Sequence, residues 1–462
     1  MSEDNEISVK SNKKYEIDMC SGGIVGKMLL FALPLMLSSI LQLLFNAADI
    51  IVVGRFAGDN SLAAVGSTGS IVNLLTNVFL GLSVGANVMV ARYKGAGKEE
   101  EVSQTVHTAI TLALISGAIL TVAGVLGAKQ ILVWMSSPAE VIDLSALYLR
   151  IFFLGMIPNM FYNFGAAILR SIGDTRRPLY YLLLAGVINV ILNLLFVISF
   201  KMDVAGVALA TIISQTISAV LVLICLMREQ SSIQFNFRKL GINKSICVDI
   251  MRIGLPSGFQ GLLFSFSNVI IQSSVNSFGA TVVAANSAAA NIEGFVWVSM
   301  NAFHQAAVTF TGQNYGAGKK DRVIGVLRDA LICVFLTGLV MGQCAWIFGH
   351  QLVGMYSSSE EVIQLGIERV KWVCGTYYLC GMMDVMVGIL RGLGYSIMPM
   401  IVSLLGACGL RLLWIFTLFQ TATFHKPMWL YITYPVSWSV TFLVHVICFV
   451  VVWRRIKQFS RF

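Results

Sequence analysis

The sequence has very few charged residues for its length. Only 12% of its 462 residues are Asp, Glu, Lys or Arg, whereas soluble globular proteins carry about 25%. Hydrophobic residues make up 57% of the chain, and apolar runs longer than about 18 residues recur along its whole length. So little polar surface cannot coat a water-soluble body of this size. The composition therefore predicts a polytopic membrane protein.

The sequence also lacks the motifs of several other protein classes. Its nine cysteines form no CxxC pair and lie mostly inside apolar runs, which argues against a disulfide framework and against a zinc site. The GAGK segments at 95–98 and 316–319 lack the first Gly of a P-loop and the Ser or Thr that follows its Lys. No set of His, Cys and carboxylate residues has metal-ligand spacing, and no nucleophile has a neighbouring base. We therefore expect neither a cofactor nor an enzymatic activity.

The apolar runs predict twelve transmembrane helices, each ending where charged residues, Gly or Pro collect. Several are longer than the roughly 20 residues that cross a bilayer core, so we expect them to tilt or to project beyond it. The predicted helices span residues 27–53, 61–91, 102–127, 139–169, 177–199, 204–227, 248–277, 282–313, 323–348, 360–390, 396–420 and 428–453.

The basic residues predict the orientation of these helices. With the N-terminus in the cytoplasm, 24 of the 32 Lys and Arg residues fall in cytoplasmic segments, four fall within helices, and four lie outside, namely Arg55, Lys129, Lys201 and Lys426. This bias satisfies the positive-inside rule. It also accounts for the net charge of +9, so no nucleic-acid partner is expected. We predict a multi-pass protein of the plasma (inner) membrane with both termini in the cytoplasm.

The second half of the sequence repeats the first. GAGK at 95–98 returns at 316–319, SSPAEVIDL at 136–144 returns as SSSEEVIQL at 357–365, and LRSIGDTRRP at 169–178 returns as LRGLGYSIMP at 390–399. A constant offset of 221 predicts two homologous six-helix lobes around a central cavity, arranged as parallel repeats because each lobe has an even number of helices. The predicted domains are a disordered cytoplasmic arm (1–25), an N-lobe (26–227), a cytoplasmic linker (228–247), a C-lobe (248–455) and a cytoplasmic tail (456–462).

A carboxylate inside the first predicted helix is the strongest functional candidate. An ionised carboxylate in the bilayer core costs at least about 2.5–3.5 kcal/mol and needs a partner, water or a proton. Asp49 shares one helix face with Gln42 and Asn46, so this face is expected to line the cavity. In the second half Asn268 repeats Asn46, but Ile271 stands where Asp49 would. Asp49 is therefore either a proton-binding group or a helix-end Asp that hydrogen-bonds to its neighbours.

Two further acidic residues lie deep in predicted helices. Glu293 shares a face with Trp297, Asn301 and His304, and an acid beside an aromatic ring suits a lipophilic cation; the alternative is a Glu paired with a neighbouring helix. Asp384 lies on a face with Arg391, and its counterpart in the first half is Asn163.

Neutral amides complete the candidate site. Asn189 and Asn193 are spaced i, i+4 on the fifth predicted helix, and such residues serve either as ligands or as interhelical hydrogen-bond partners. Arg150 and Arg411 within the helices are expected to pair with acids or to snorkel. The predicted cation-coupling residues are Asp49, Asn189 and Asn193, and the predicted cavity residues are Gln42, Asn46, Asn268, Gln272, Glu293, Trp297, Asn301 and Asp384.

These features together resemble the multidrug and toxic compound extrusion (MATE) family. The resemblance rests on ALPLMLSSILQLLFNAADIIVVGRFAG at 32–58, LRSIGDTRRP at 169–178, TFTGQNYGAGKKDR at 309–322 and the two GAGK turns, and it runs from about Gly26 to Arg455. It implies twelve helices in two lobes, alternating access, and export of cationic lipophilic compounds against inward flow of H⁺ or Na⁺.

The resemblance also implies roles for single residues. Asp49 matches the family's first-helix carboxylate, which is tied to cation coupling, and Asn189 matches a cavity Asn. Asn193 stands where some members have Asp, and Asp384 lies about one helical turn from the carboxylate of sodium-coupled members. We expect small organic cations or drugs as substrates, the lipid bilayer as the surroundings, and a monomer.

The sequence favours multidrug export over three other functions. A lipid-linked sugar flippase of the same wider superfamily would want a cationic cavity for phosphate, and basic residues within the predicted helices are scarce. An intramembrane enzyme would need a catalytic set that the sequence lacks, and a receptor would not need the two-lobe repeat.

Overall fold

A computed structural model of the chain describes residues 15–135 and 137–458. These residues are predominantly helical, and none of them lies in a β-strand. Within these ranges nine helices are long and apolar enough to cross a membrane, and the bent pair Glu140–Leu154 and Met156–Ser171 makes a tenth. Two long helices, Lys244–Asn276 and Ala280–Gly316, fall on the predicted helices 248–277 and 282–313. The prediction of an all-α polytopic membrane protein with two homologous halves is confirmed.

The described residues of the first half form seven α-helices, which correspond to the first six predicted helices. A π-helical segment, Leu195–Ser199, continues the sixth of them, and a short 3₁₀ turn, Phe237–Lys239, lies in the connection to the second half. The helices are α1 Ile24–Phe56, α2 Asp59–Gly95, α3 Glu99–Trp134, α4 Ala139–Leu154, α5 Met156–Ser171, α6 Arg176–Leu194 and α7 Asp203–Arg228.

Up to residue 458 the second half forms nine α-helices, because two of its six predicted helices are interrupted and a short extra helix precedes one of them. The interruptions are the 3₁₀ turn Cys374–Thr376 and the π-helical segment Leu404–Gly409, and a last 3₁₀ turn covers Leu418–Gln420. The helices are α8 Lys244–Asn276, α9 Ala280–Gly316, α10 Lys320–Ile347, α11 Gly349–Gly354, α12 Glu360–Val373, α13 Tyr377–Gly392, α14 Ile397–Ser403, α15 Leu410–Phe416 and α16 Pro427–Gln458.

The predicted helix 139–169 is broken in the structure. It consists of α4 and α5, which meet at Gly155 with a bend of 49°. Pro158 lies in the first turn of α5, and its ring nitrogen carries no hydrogen to bond the preceding turn. The corresponding part of the second half is interrupted at Cys374–Thr376, so the break recurs in the repeat.

The turns of the two halves have matching backbone conformations. Six glycines with positive φ form three pairs at the offset of 221, and such backbone favours Gly because it has no Cβ. The pairs are Gly58 (91°) and Gly279 (91°), Gly97 (68°) and Gly318 (70°), and Gly173 (94°) and Gly394 (88°). The internal repeat that the sequence predicts is therefore also present in the geometry of the turns.

The chain divides into two compact units. Of the described residues, unit 1 comprises 15–18 and those between 37 and 258, and unit 2 comprises 19–36 and 259–458. These boundaries differ from the predicted lobes, because the first part of α1 belongs to unit 2 and the first part of α8 belongs to unit 1. Each boundary lies two residues after a helix proline, Pro34 in α1 and Pro256 in α8.

Part of the segment predicted to be a disordered arm makes defined contacts, while residues 1–14 lie outside the described ranges. In unit 1, Ile17 lies against the backbone of Gly173. In unit 2, the Arg322 guanidinium donates hydrogen bonds to the carbonyl oxygens of Met19 (3.0 Å), Ser21 (2.6 Å) and Gly22 (2.9 Å). The guanidinium fork thus donates to three backbone carbonyls and holds this segment without regular secondary structure.

Candidate functional site

The three predicted cation-coupling residues lie together in unit 1. The Asn193 side-chain amide on α6 donates one hydrogen bond to the Asp49 carboxylate on α1 and a second to Asn189 Oδ1 at 3.3 Å. Both asparagines are buried. One turn of helix separates them, so a single face of α6 presents both amides to α1.

Close packing of the two helices brings these groups together. A Cβ added to Gly186 of α6 would lie 1.8 Å from the ring of Phe45, so only Gly lets α1 approach this closely. Phe45 lies about one turn before Asp49 on α1, and Gly186 lies about one turn before Asn189 on α6. The close contact is therefore next to the polar group. On the far side, Val52 and Val53 join an apolar core cluster with Tyr148 of α4 and Val197 of the π-helical segment.

The electrostatics of this group are those of one acid among neutral amides. Among the described residues no Lys, Arg or His lies within ion-pair distance of Asp49. The Asn193 Oδ1 atom is buried and accepts no hydrogen bond from any described residue. Carboxylate and amide oxygens without a basic partner can take a proton or a monovalent cation, so the arrangement suits reversible cation binding.

Gln42 and Asn46, the other predicted residues on this face of α1, are exposed. In unit 2, Asn268 is likewise exposed, whereas Gln272 is half-buried and hydrogen-bonds to Asn276 and to Asn286 at 2.9 and 3.0 Å. The structure therefore brings Gln272 into a polar network and leaves the side chains of Gln42, Asn46 and Asn268 exposed.

Glu293 is held by an arginine that the sequence did not single out. Arg369 on α12 donates two parallel hydrogen bonds to the Glu293 carboxylate, at 2.6 and 2.8 Å, and a third to Asn286. Both members of the ion pair are buried. This geometry corresponds to the paired alternative, since the carboxylate already has its counter-charge.

Two aromatic rings that the sequence did not single out lie near the partner of Glu293. Trp297, the predicted ring, is 45% exposed, and Asn301 is half-buried. The rings of Tyr431 and Tyr434 on α16 instead lie against the Arg369 guanidinium, at 5.5 and 5.6 Å from its central carbon. The spacing along α9 could not identify them, because they come from another helix more than 130 residues away.

Asp384 lies on α13 beside a buried polar cluster. Its carboxylate makes no hydrogen bond within the described part of the chain, although its backbone oxygen lies 2.6 Å from His304 Nδ1. Arg391 of the same helix is buried, donates to Gln260 Oε1 at 2.9 Å and lies 3.4 Å from His304 Nε2. Asp384 therefore belongs to a group that contains Arg391, as the shared helix face predicts.

A metal site is not found in the described ranges, where no group of three or more His, Cys, Asp and Glu side chains could hold an ion. The functional groups of the two units thus differ in kind. Among the predicted site residues, those of unit 1 are one carboxylate and neutral amides, whereas the two carboxylates of unit 2 lie near buried guanidinium groups.

Comparison with known proteins gives consistent matches over nearly the whole chain. The family model described as MatE matches residues 34–195 and 256–417. Two Bacillus subtilis (strain 168) relatives are the "Probable multidrug resistance protein YoeA", 28% identical over 442 residues (94% of this chain and 95% of the relative), and the "Probable multidrug resistance protein YpnP", 27% identical over 394 residues (85% and 88%). A crystal structure of a MATE protein in complex with MaL6 superposes with a TM-score of 0.89 at 22% identity, covering 95% of this chain and 98% of that one.

Proposed function

Because the chain belongs to the MatE family of membrane transporters, we propose that it is a secondary active multidrug efflux transporter. In this proposal it exports cationic lipophilic compounds in exchange for H⁺ or Na⁺, by alternating access of two lobes. The names of its Bacillus relatives support drug export. We further propose that it works as a monomer without a cofactor, in the inner membrane, with both termini in the cytoplasm.

The Asp49 group is the observation that carries the proposal. A single carboxylate whose hydrogen-bond partner is a neutral amide changes its charge when a proton or a sodium ion binds. In the outward-open carrier the bound ion neutralises Asp49, and the organic cation loses its counter-charge and leaves. The ion-loaded carrier then reopens to the cytoplasm, where the ion dissociates and a new organic cation binds. Transport is driven by the ion gradient because both ligands compete for one negative charge.

A lipid-linked sugar flippase remains the second candidate, and one observation favours it. Arg369, Arg391 and Arg411 are all buried within helices of unit 2, whereas the sequence had indicated few basic groups for a phosphate-bearing substrate. Arg369 is already paired with Glu293. At most two of these three guanidinium groups are therefore available to bind a phosphate.

Transport in proteoliposomes tests the proposal. Purified protein is reconstituted with rhodamine 123, a lipophilic organic cation, and dye movement is followed first under a pH gradient without sodium and then under a sodium gradient at equal pH. We expect uphill movement under one gradient, which identifies the coupling ion.

The variant Asp49→Asn should lose at least about 90% of that uphill movement, because the amide cannot exchange a proton. The control Asp143→Asn removes an exposed carboxylate of the same unit and should transport like wild type. If Asp49→Asn matches wild type, the coupling role is wrong. If neither gradient moves several unrelated cations, export of drugs is wrong and lipid-linked substrates are tested next.

A further inference from the structure

Arg411 on α15 is a buried guanidinium that forms no ion pair with an acid in the described part of the chain. It is only 4% exposed, and its Nε donates to Ser437 Oγ at 2.8 Å. Its central carbon lies 4.1 Å from the ring centre of Tyr434 and 5.4 Å from that of Trp438. In the described ranges no carboxylate lies within 4.0 Å of it, and its Nη2 is buried without an acceptor. The side chain was expected to pair with an acid or to snorkel, and it does neither.

The other buried charges of these helices do not compensate Arg411. Glu293 is engaged by Arg369 through two hydrogen bonds. The charged group that acts on Asp384 is Arg391, on its own helix. A buried guanidinium usually makes several hydrogen bonds to an acceptor of opposite charge, because its removal from water is costly. Stacking on aromatic rings offsets part of that cost and leaves the edge of the guanidinium able to bind an anion.

The internal repeat identifies Arg411 as the counterpart of Asn189. The family matches begin at 34 and 256 and end at 195 and 417, which is an offset of 222 at both ends. Between these ends the turns follow the offset of 221, as in Gly173 and Gly394. The second half therefore gains one residue after 399, and the π-helical segment Leu404–Gly409, whose wider turns accommodate an extra residue, lies at this point. After that segment the offset is 222, so Arg411 in the second half corresponds to Asn189 in the first.

The same comparison shows that the corresponding groups of residues in the two units carry net charges of opposite sign. At the offset of 222 Asp49 corresponds to Ile271. At the offset of 221 Tyr148, which interacts electrostatically with Asp49, corresponds to Arg369. Unit 1 thus places a carboxylate and amides at a locus where unit 2 places an apolar side chain and two guanidinium groups. One of those two, Arg369, is neutralised by Glu293, so the locus in unit 2 has a net positive charge.

We propose that unit 2 contains an anion-binding site built on Arg411, which takes a monovalent anionic group such as a carboxylate. Resting on the proposed function, this inference adds a preference for lipophilic compounds that carry a carboxylate beside their cationic centre; a free anion such as chloride offers the same charge. The planar fork of a guanidinium matches a carboxylate with two parallel hydrogen bonds, and the rings of Tyr434 and Trp438 add aromatic surface for a lipophilic body.

Equilibrium binding of two matched dyes tests the site without any ion gradient. Rhodamine 110 carries a free carboxylate, and rhodamine 123 is its methyl ester with the same ring system. Fluorescence anisotropy with purified wild-type protein should give a Kd for rhodamine 110 about tenfold lower than for rhodamine 123, since a hydrogen-bonded charge pair is worth at least one decade. Arg411→Gln should abolish this preference and leave the Kd of rhodamine 123 within about twofold.

Two control variants accompany this measurement. Arg150→Gln removes an exposed guanidinium from α4 and should retain the preference. Arg411→Lys keeps the charge but loses the fork, so it should retain part of the preference. Equal Kd values for the two dyes in wild type, or a preference that survives in Arg411→Gln, would overturn the proposal.

A chloride titration separates the two sources of the anionic group. If chloride raises the Kd of rhodamine 110 in wild type but not in Arg411→Gln, a free anion also occupies the site; if it has no effect, the site selects the carboxylate of the compound. If Arg411→Gln does not purify as a monodisperse protein, the Kd values of the two dyes for wild type and for Arg411→Lys still test the proposal. Failure of the transport assay with an intact dye preference would reject the proposed function and retain the site.

Discussion

At the scale of single residues, charge is stabilised in a different way at each of three positions, of which Asp49 is half-buried and Glu293 and Arg411 are buried. Asp49 has a neutral amide, Glu293 has the full guanidinium of Arg369, and Arg411 has two aromatic rings and a hydroxyl. A charge with a complete counter-ion is costly to disturb, whereas a charge with neutral partners can exchange ligands. The complete counter-ion of Glu293 suits a structural role, whereas the neutral partners of Asp49 and Arg411 suit ligand binding.

Disruption of the Glu293–Arg369 pair should therefore act mainly on the stability of the protein and less on the coupling of transport to the ion gradient. Removal of one partner from a buried ion pair costs about 3–5 kcal/mol because the other charge remains buried. We expect Arg369→Gln and Glu293→Gln each to lower the Tm of the detergent-purified protein, and the double variant to recover part of the loss.

Thermal unfolding followed by size-exclusion chromatography measures this effect. The control is Lys129→Gln, which breaks an ion pair of 2.9 Å whose side chains are 56% and 81% exposed and should change the Tm little. A double variant less stable than both single variants would contradict a paired structural role.

At the scale of elements, helices of unit 1 approach each other through small residues. Gly81 and Gly85 on α2 face Gly254 and Gly258 on α8, and each pair has the spacing G-xxx-G. A Cβ on Gly81 would lie 2.3 Å from the backbone nitrogen of Gly258, and one on Gly85 would lie 2.3 Å from the carbonyl oxygen of Ile250. Such backbone contact is a recurrent means of helix association in membranes, where hydrophobic burial contributes little.

A single methyl group should disrupt this contact. Gly81→Ala forces the two backbones apart, because no flexible side chain is present to move, and we expect a clear drop in Tm and a lower yield of monodisperse protein. Gly66→Ala is the matched control, since Gly66 lies on the same helix and a Cβ there meets nothing within 4 Å. It should be neutral or slightly stabilising. Equal behaviour of the two variants would mean that α2 and α8 are not closely packed.

At the scale of the whole molecule, the sequence predicted the helices and the repeat but not the pairing within unit 2. Helix positions follow from the length of apolar runs, and Asp49 was identified because a carboxylate in such a run is costly. The partner of Glu293 lies 76 residues away on another helix, and helical periodicity does not say which faces meet. The register of Arg411 depends on a π-helical segment, which no local residue pattern indicated.

The membrane topology provides the last prediction. An even number of crossings per half places repeat-related positions on the same side, whereas an odd number would place them on opposite sides. Ser137 and Ser358 are such a pair, at the offset of 221, and the excess of basic residues elsewhere assigns both to the outside. In a background without native cysteines, a membrane-impermeant maleimide should label Ser137→Cys and Ser358→Cys in intact cells. Lys239→Cys in the basic connection between the halves should react only after permeabilisation. Labelling of Ser137→Cys and Ser358→Cys from opposite sides would mean that one half crosses the membrane an odd number of times, and the parallel repeat would then be wrong.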